Sequence, residues 1–193
     1  MNTYDFDETI YSGDSEFGFI EYVFAKYKSL KKYERRYRFY RFLQKKLGVI
    51  SRDRARIKTF SFLKALPNVD KELDEFWALH AKNLKKWYLS VRREDDIIIS
   101  ATPAFILEPI AKKLGVQLIA TEMNKKTGEL YGTYNYGKEK VRRFKEVYGN
   151  VQPEKFYSDS FSDEPMALLA KEAFMVFGEE IRAWEFSAKS SAK

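Results

Sequence analysis

The sequence predicts an α/β protein: a parallel sheet interrupted, after its first strand, by a long all-helical segment. Three observations predict it. Residues 3–7 form a short apolar segment that runs straight into the acidic Asp5-Phe6-Asp7-Glu8-Thr9. Residues from Ser15 to about Ser90 carry apolar and aromatic side chains at spacings of three and four, the period of helices. From Asp96 onward, short apolar runs alternate with helical stretches, which is the pattern of strands joined by crossover helices.

Within the helical segment, Val23, Tyr27, Leu30, Tyr33, Tyr37 and Tyr40 continue one stripe, and Leu47 extends it after a gap of seven. Gly48 is a plausible stop, and Pro67-Asn68 breaks a second stretch. A third runs from about Val69 to Tyr88, with Leu73, Phe76, Trp77, Leu84 and Trp87 on its apolar face. His80, near Trp77, reads as a structural residue of this segment.

The second half is expected to begin with Asp96-Ile97-Ile98-Ile99-Ser100, a strand buried on both faces. Thr102-Pro103 reads as an N-cap followed by proline at the first helical position. That helix ends near Leu114-Gly115, and a strand follows at 117–120. Lys126-Thr127-Gly128 suggests a hairpin over 121–136. A helix over 138–148, a strand at Phe156-Tyr157-Ser158, a helix over 164–172 and a last strand at Ala173–Phe177 complete the series.

Composition removes several chemistries. The 193 residues include no cysteine and one histidine, so disulfides, thiolate-bound zinc and cysteine nucleophiles are excluded. A Ser-His-Asp triad is disfavoured, and carboxylates, hydroxyls and lysines are left to act. No apolar run reaches membrane-spanning length, and MNTYDFDET has none of the regions of a secretion signal. The expected location is the cytoplasm.

Asp5 and Asp7 stand two apart at a strand end, a spacing that puts both on one face of a strand. Ser100 closes the strand IIIS, and Asp159 and Asp163 follow the strand FYS. In an open parallel sheet the carboxyl ends of strands line one crevice, so three strands deliver polar groups to the same edge. Lys140 opens a helix nearby, with Lys138 as its competitor. Converging carboxylates without His or Cys call for a hard cation, and Mg²⁺ is the expected one. Each residue alone has a plainer reading: Ser100 and Asp163 as helix caps, Asp159 as a loop acid, Lys140 as a solvated helix lysine.

In order, the four segments DFDET, IIISATP, YGKEKVRRF and SDSFSDEP resemble the four motifs of the haloacid dehalogenase superfamily, in its phosphoserine-phosphatase-like branch. The resemblance covers almost the whole chain. It implies a Rossmann-like parallel sheet core over 1–14 and 91–187, an inserted α-helical cap over 15–90, and a frayed tail at 188–193. It further implies a Mg²⁺-dependent phosphomonoesterase of small phosphate esters, working through an aspartyl-phosphate. On it, Asp5 is the nucleophile and Asp7 the acid and base. Ser100 and Lys140 hold the phosphoryl group, with Thr9, Asp14 and Ala101 also on the substrate side. Asp5, Asp7, Asp159 and Asp163 form the metal set, Asp7 through its carbonyl. An acid at position 7 favours an ester leaving group over a halide.

Position 14 departs from the pattern, because phosphoserine phosphatases carry Glu there to read the substrate amine. Asp14 is one methylene shorter and can equally be the N-cap of the first insertion helix, with Gly13 and Gly18 as hinges. Net charge is +7, and residues 26–46 alone contribute +9. Three readings of that stretch stay open: a solvated helix face, a surface that draws anionic substrate in, or a transient contact with acidic membrane lipid. Nucleic acid is not expected, since the aromatic stripe reads as core. Monomer and dimer both remain open. The rival function is a polyanion- or membrane-surface-binding protein on an inactive phosphatase-like fold, against which stands the presence of every motif acid.

Overall fold

A computed structural model describes residues 1–47 and 59–186. The expected stop at Gly48 and the tail at 188–193 lie outside the described residues.

Six strands form one sheet in the order β3-β2-β1-β4-β5-β6. They are β1 (Thr3–Tyr4), β2 (Ile97–Pro103), β3 (Gln117–Thr121), β4 (Lys155–Ser158), β5 (Glu172–Phe177) and β6 (Glu180–Ala183). The first five are parallel, and β6 pairs antiparallel with β5. Strand β6 was not foreseen: its four residues are all exposed, so it has no apolar alternation to announce it. The hairpin expected over 121–136 reduces to a single bridge between Met123 and Leu130.

Strand β2 is covered on both sides, as its unbroken isoleucines require. Ile98 packs into the larger core with the insertion helices and the helix α5 (Ala104–Leu114). Ile97 and Ile99 point the other way, into a core with Phe144 of α6 (Lys138–Tyr148) and Met166 of α7 (Glu164–Leu169). This alternation is the two-residue period of a pleated strand.

Between β1 and β2 lies the helical insertion, built of α1 (Ser15–Lys26), α2 (Lys31–Leu47), α3 (Val69–His80) and α4 (Lys86–Val91). The apolar stripe bends at Tyr27, where the chain turns extended before a short 3-10 turn at Lys28–Leu30. Val23, Leu30 and Tyr37 are buried. The third helical stretch is also shorter than expected, ending at His80 before a 3-10 turn at Ala81–Asn83. Asn68 caps α3 through its side chain, which accepts from the Lys71 N–H at 3.1 Å. His80 stacks on Phe76, in the structural role expected of it.

Charged and aromatic groups knit the insertion together. Lys26 of α1 pairs with Glu72 at 2.8 Å and with Glu75 of α3. Trp77 meets Phe6 and Tyr11 edge-on, and its indole N–H donates to the Ile106 carbonyl at 2.6 Å. One tryptophan therefore ties α3 both to the loop after β1 and to α5. Gly18 lies within α1, facing the Phe76 ring. A Cβ there would already lie 3.4 Å from the Phe76 ring.

A second tie joins the insertion to the turn after β3. Gly128 has φ +73°, and a Cβ there would stand 2.6 Å from both Cβ and O of Phe60, while Phe60 itself is fully buried. Gly128→Ala is expected to destabilise the fold by about 2 kcal/mol or more, because strain at positive φ adds to overpacking. Urea unfolding checks this, and a variant as stable as the parent would show that the turn moves freely from Phe60.

Candidate active site

The carboxyl ends of β1, β2 and β4 bring the predicted residues to one edge. Strand pairing of β1 stops at Tyr4, although the Asp5 N–H still donates to the Tyr157 carbonyl at 2.9 Å. Asp7 thus owes its place to the loop that follows and not to strand alternation. In that loop the Phe6 carbonyl accepts from the N–H groups of Ile10 and Tyr11, and the Glu8 N–H donates to the Gly13 carbonyl. Glu8 takes φ 55°, an uncommon conformation for a non-glycine residue and one met at functional loops.

Lys140 lies at the centre. Its ammonium donates to Asp5 Oδ1 at 2.8 Å and to Asp163 Oδ2 at 2.7 Å, and it is 2% exposed. Lys138 is exposed, so the choice between the two lysines falls on Lys140. Burial works against the ammonium, but Asp5 and Asp163 outweigh it and hold its pKa above the ordinary lysine value. Burial pushes Asp5 upward, against the attraction of Lys140, and the charges of Asp163 and Asp159 add to the rise.

Asp7 is held from two sides. Its Oδ1 accepts from the Ser15 N–H at 2.6 Å, and its Oδ2 from the Thr102 hydroxyl at 2.6 Å. Burial first, and the charge of Asp14 second, push its carboxyl up to about 7 despite those bonds. Thr102 is therefore not the helix N-cap that Thr-Pro suggested. Strand β2 runs on through Pro103, and α5 begins at Ala104 without a side-chain cap. The signal for Thr102 was present in the sequence, two residues past Ser100, but a capping role explained it equally well.

The remaining residues divide by what they touch. Ser100 is buried, and its Oγ accepts from the Thr102 N–H at 3.2 Å. The Ala101 carbonyl accepts from the Thr121 hydroxyl at 2.7 Å. Thr9 is fully buried and accepts from the Asp159 N–H at 2.9 Å, so it fastens the β1 loop to the β4 loop. Asp14 is exposed and caps α1, accepting from the Phe17 N–H at 2.7 Å. The cap, one of its two expected roles, is the one the structure displays. Asp163 Oδ2 also accepts from Ser158 Oγ at 2.8 Å.

Two residues that no pattern announced belong here as well. Asn135 is buried, and its amide donates to the carbonyls of Ser100 and Ile119 at 3.0 and 2.9 Å. It braces the ends of β2 and β3. Lys85, 3% exposed, donates to the Glu8 carbonyl and, at 2.7 Å, to the Gly178 carbonyl. It links the insertion to the β1 loop and to the β5–β6 turn.

Among the described residues no three His, Cys, Asp or Glu side chains are spaced to hold a metal ion by themselves. The donor set is nevertheless that of a hard cation completed by main-chain oxygen. Asp5 and Asp163 share one ammonium, burial and the neighbouring Asp163 raise Asp159, and Asp163 Oδ1 is buried without a hydrogen-bond partner. A divalent cation would relieve each of these.

A family model described as haloacid dehalogenase-like hydrolase matches residues 3–168. No curated protein matches the chain. Among solved structures, a protein of unknown function from Bordetella pertussis Tohama I aligns with TM-score 0.74 and 23% identity, over 90% of this chain and 87% of its own. A phosphoserine phosphohydrolase-like protein from Francisella tularensis gives 0.53 and 18%, over 90% and 86%. Cytosolic 5'-nucleotidase IIIB bound to cytidine gives 0.59 and 13%, over 89% and 69%. At these identities the neighbours speak for the fold.

The Thr102 bond to Asp7 yields a test. Thr102→Val should lower kcat on an aryl phosphate by about ten- to a hundredfold, the worth of a hydrogen bond to a charged group. KM should change little, and Thr102→Ser should restore most of the rate. Equal losses in the valine and serine variants would show that the methyl packing matters and the hydroxyl does not.

Proposed function

The chain belongs to the haloacid dehalogenase-like hydrolase family, and we propose that within it this protein is a Mg²⁺-dependent phosphomonoesterase with Asp5 as nucleophile. The observation that carries the reading is the unequal treatment of two neighbouring carboxyls. Asp5 is bonded to the buried Lys140 ammonium. Asp7 is held by two neutral donors, the Thr102 hydroxyl and the Ser15 N–H. Burial pushes both carboxyls up to about 7, so the partners separate them: the ammonium beside Asp5 favours its anionic, attacking form, while Asp7, with no cation bonded to it, is placed to hold and release a proton.

In the proposed reaction an Asp5 oxygen attacks phosphorus while the bond to the ester oxygen breaks. Asp7 gives its proton to that oxygen, and the alcohol leaves. Asp7, now a carboxylate, takes a proton from water, which attacks phosphorus of the aspartyl-phosphate, so that inorganic phosphate departs and Asp5 is restored. Ser100 and Lys140 would hold the phosphoryl oxygens. Asp5, Asp159 and the Asp7 carbonyl would hold Mg²⁺, with Asp163 steadying Lys140 behind them. The cation supplies charge neutralisation between phosphate and carboxylate. Residues 15–90 would act as the cap over this edge.

Hydrolysis of an aryl phosphate should stop in excess chelator and return on adding Mg²⁺. Asp5→Asn should remove turnover and labelling by beryllofluoride with the fold unchanged by circular dichroism. Full activity in chelator would overturn the metal assignment, and a labelled Asp5→Asn protein would put the nucleophile elsewhere.

The substrate is proposed to be something other than phosphoserine. Asp14 spends one oxygen on the Phe17 N–H and is exposed, whereas amine recognition needs a carboxylate at about 2.7–2.9 Å. In a panel of phosphoserine, sugar phosphates, nucleotides and a soluble lipid phosphate, phosphoserine should not give the highest kcat/KM. A phosphoserine lead of about tenfold, or 1.4 kcal/mol in the barrier, would refute the argument from Asp14.

A further inference from the structure

The basic stretch that the catalytic reading leaves unused has a distinct outer face. Along α2 a helical turn of 3.6 residues divides the described side chains into two arcs. The inner arc is aromatic: Tyr37 is buried, and Tyr33 packs against the larger core. The outer arc carries Lys31, Lys32, Arg35, Arg36 and Arg38, all exposed, interleaved with two phenylalanines. Phe39 is 57% exposed and Phe42 is 53% exposed. Phe39 also meets the Tyr40 ring edge-on.

The cations of this region fall into two groups. Lys26 is committed to Glu72 and Glu75, and Arg38 to Glu34 and Glu21. Among the described residues Lys31, Lys32, Arg35 and Arg36 form no ion pair. Four cations on one face, around two outward aromatic rings three residues apart, match a surface that is anionic outside and apolar beneath.

We infer that the outer face of α2 docks this protein on an anionic phospholipid bilayer. The rings would enter the headgroup boundary, and the lysine and arginine stems would lie along it with their charges among the phosphates. A polynucleotide would also attract the cations, but stacking sites for bases line grooves that track a strand, and these two rings lie on the outer arc of a single helix.

The test is cosedimentation of the full chain with vesicles of phosphatidylcholine, alone or mixed with phosphatidylglycerol. The protein should sediment with the mixed vesicles, not with the neutral ones, and should be released by salt. Phe39→Ser with Phe42→Ser should weaken the partition by about tenfold or more. Arg35→Glu with Arg36→Glu should abolish it. Circular dichroism of both variants should match the parent, since all four side chains are on the surface. Absence of binding to mixed vesicles would overturn the inference. So would a serine pair that binds vesicles as tightly as the parent, or a parent that prefers RNA to the vesicles at equal salt. None of these readouts depends on phosphatase activity, so failure here and failure of the catalytic reading are separate results.

Discussion

A single ammonium, Lys140, buried between Asp5 and Asp163, is the interaction on which the rest of the site depends. Taking one lysine and two carboxylates out of water costs several kcal/mol per ion before any attraction is counted. The arrangement survives because the scaffold gives these groups nowhere else to go. Gly137, with φ +58°, precedes helix α6, and a Cβ added there would lie 3.5 Å from the Ser162 carbonyl, so that helix end sits close to the β4 loop. Phe144, one turn beyond Lys140, is fully buried beneath the sheet. The lysine is thereby fixed from below while Asp5 is fixed by β1. With Asp159 included, the cluster holds three carboxylates to one cation, an imbalance suited to binding positive charge and poorly suited to stability alone.

The insertion is not an independent body laid over this edge. It reaches the site through the Ser15 N–H, the Trp77 indole and the Lys85 ammonium. The first contact is with Asp7, the residue proposed to exchange a proton, so any shift of α1 is felt there. Asp14, by capping α1, both fixes that helix end and places a negative charge near Asp7. The second and third contacts hold the loop after β1 in the shape that its positive-φ Glu8 requires.

The parts legible in the sequence were those set by period and by order. Three isoleucines followed by a serine read as a buried strand, and they form one, although Ser100 lies inside β2 and does not close it. Acids after the first and fourth strands converge for the same topological reason. What could not be read were contacts made by one side chain without a pattern. Thr102 looked like a cap because Thr-Pro before a helix is the usual sign of one, and nothing local told that β2 would continue to Pro103. Asn135 and Lys85 gave no signal, since a lone buried amide or lysine is defined only by the carbonyls around it. Strand β6 escaped because an exposed edge strand needs no apolar face. Helix lengths erred where the aromatic stripe continued through Tyr27 although the backbone did not.

Chemistry and selectivity draw on different parts of the molecule. The groups proposed to handle phosphate hang from strand ends, α6 and the β1 loop, where two hydrophobic cores on opposite sides of the sheet leave little freedom. Their positions follow from burial, and the same burial raises Asp5 and Asp7 above the ordinary carboxylate range. Asp14 and the face of α2 lie on the insertion and are exposed, so they can vary without disturbing either core. A Glu-to-Asp change at the start of α1 keeps the helix cap intact while removing reach toward a substrate amine. Selectivity can therefore drift on the insertion at almost no cost in folding free energy, whereas any change at Lys140 leaves two buried carboxylates uncompensated.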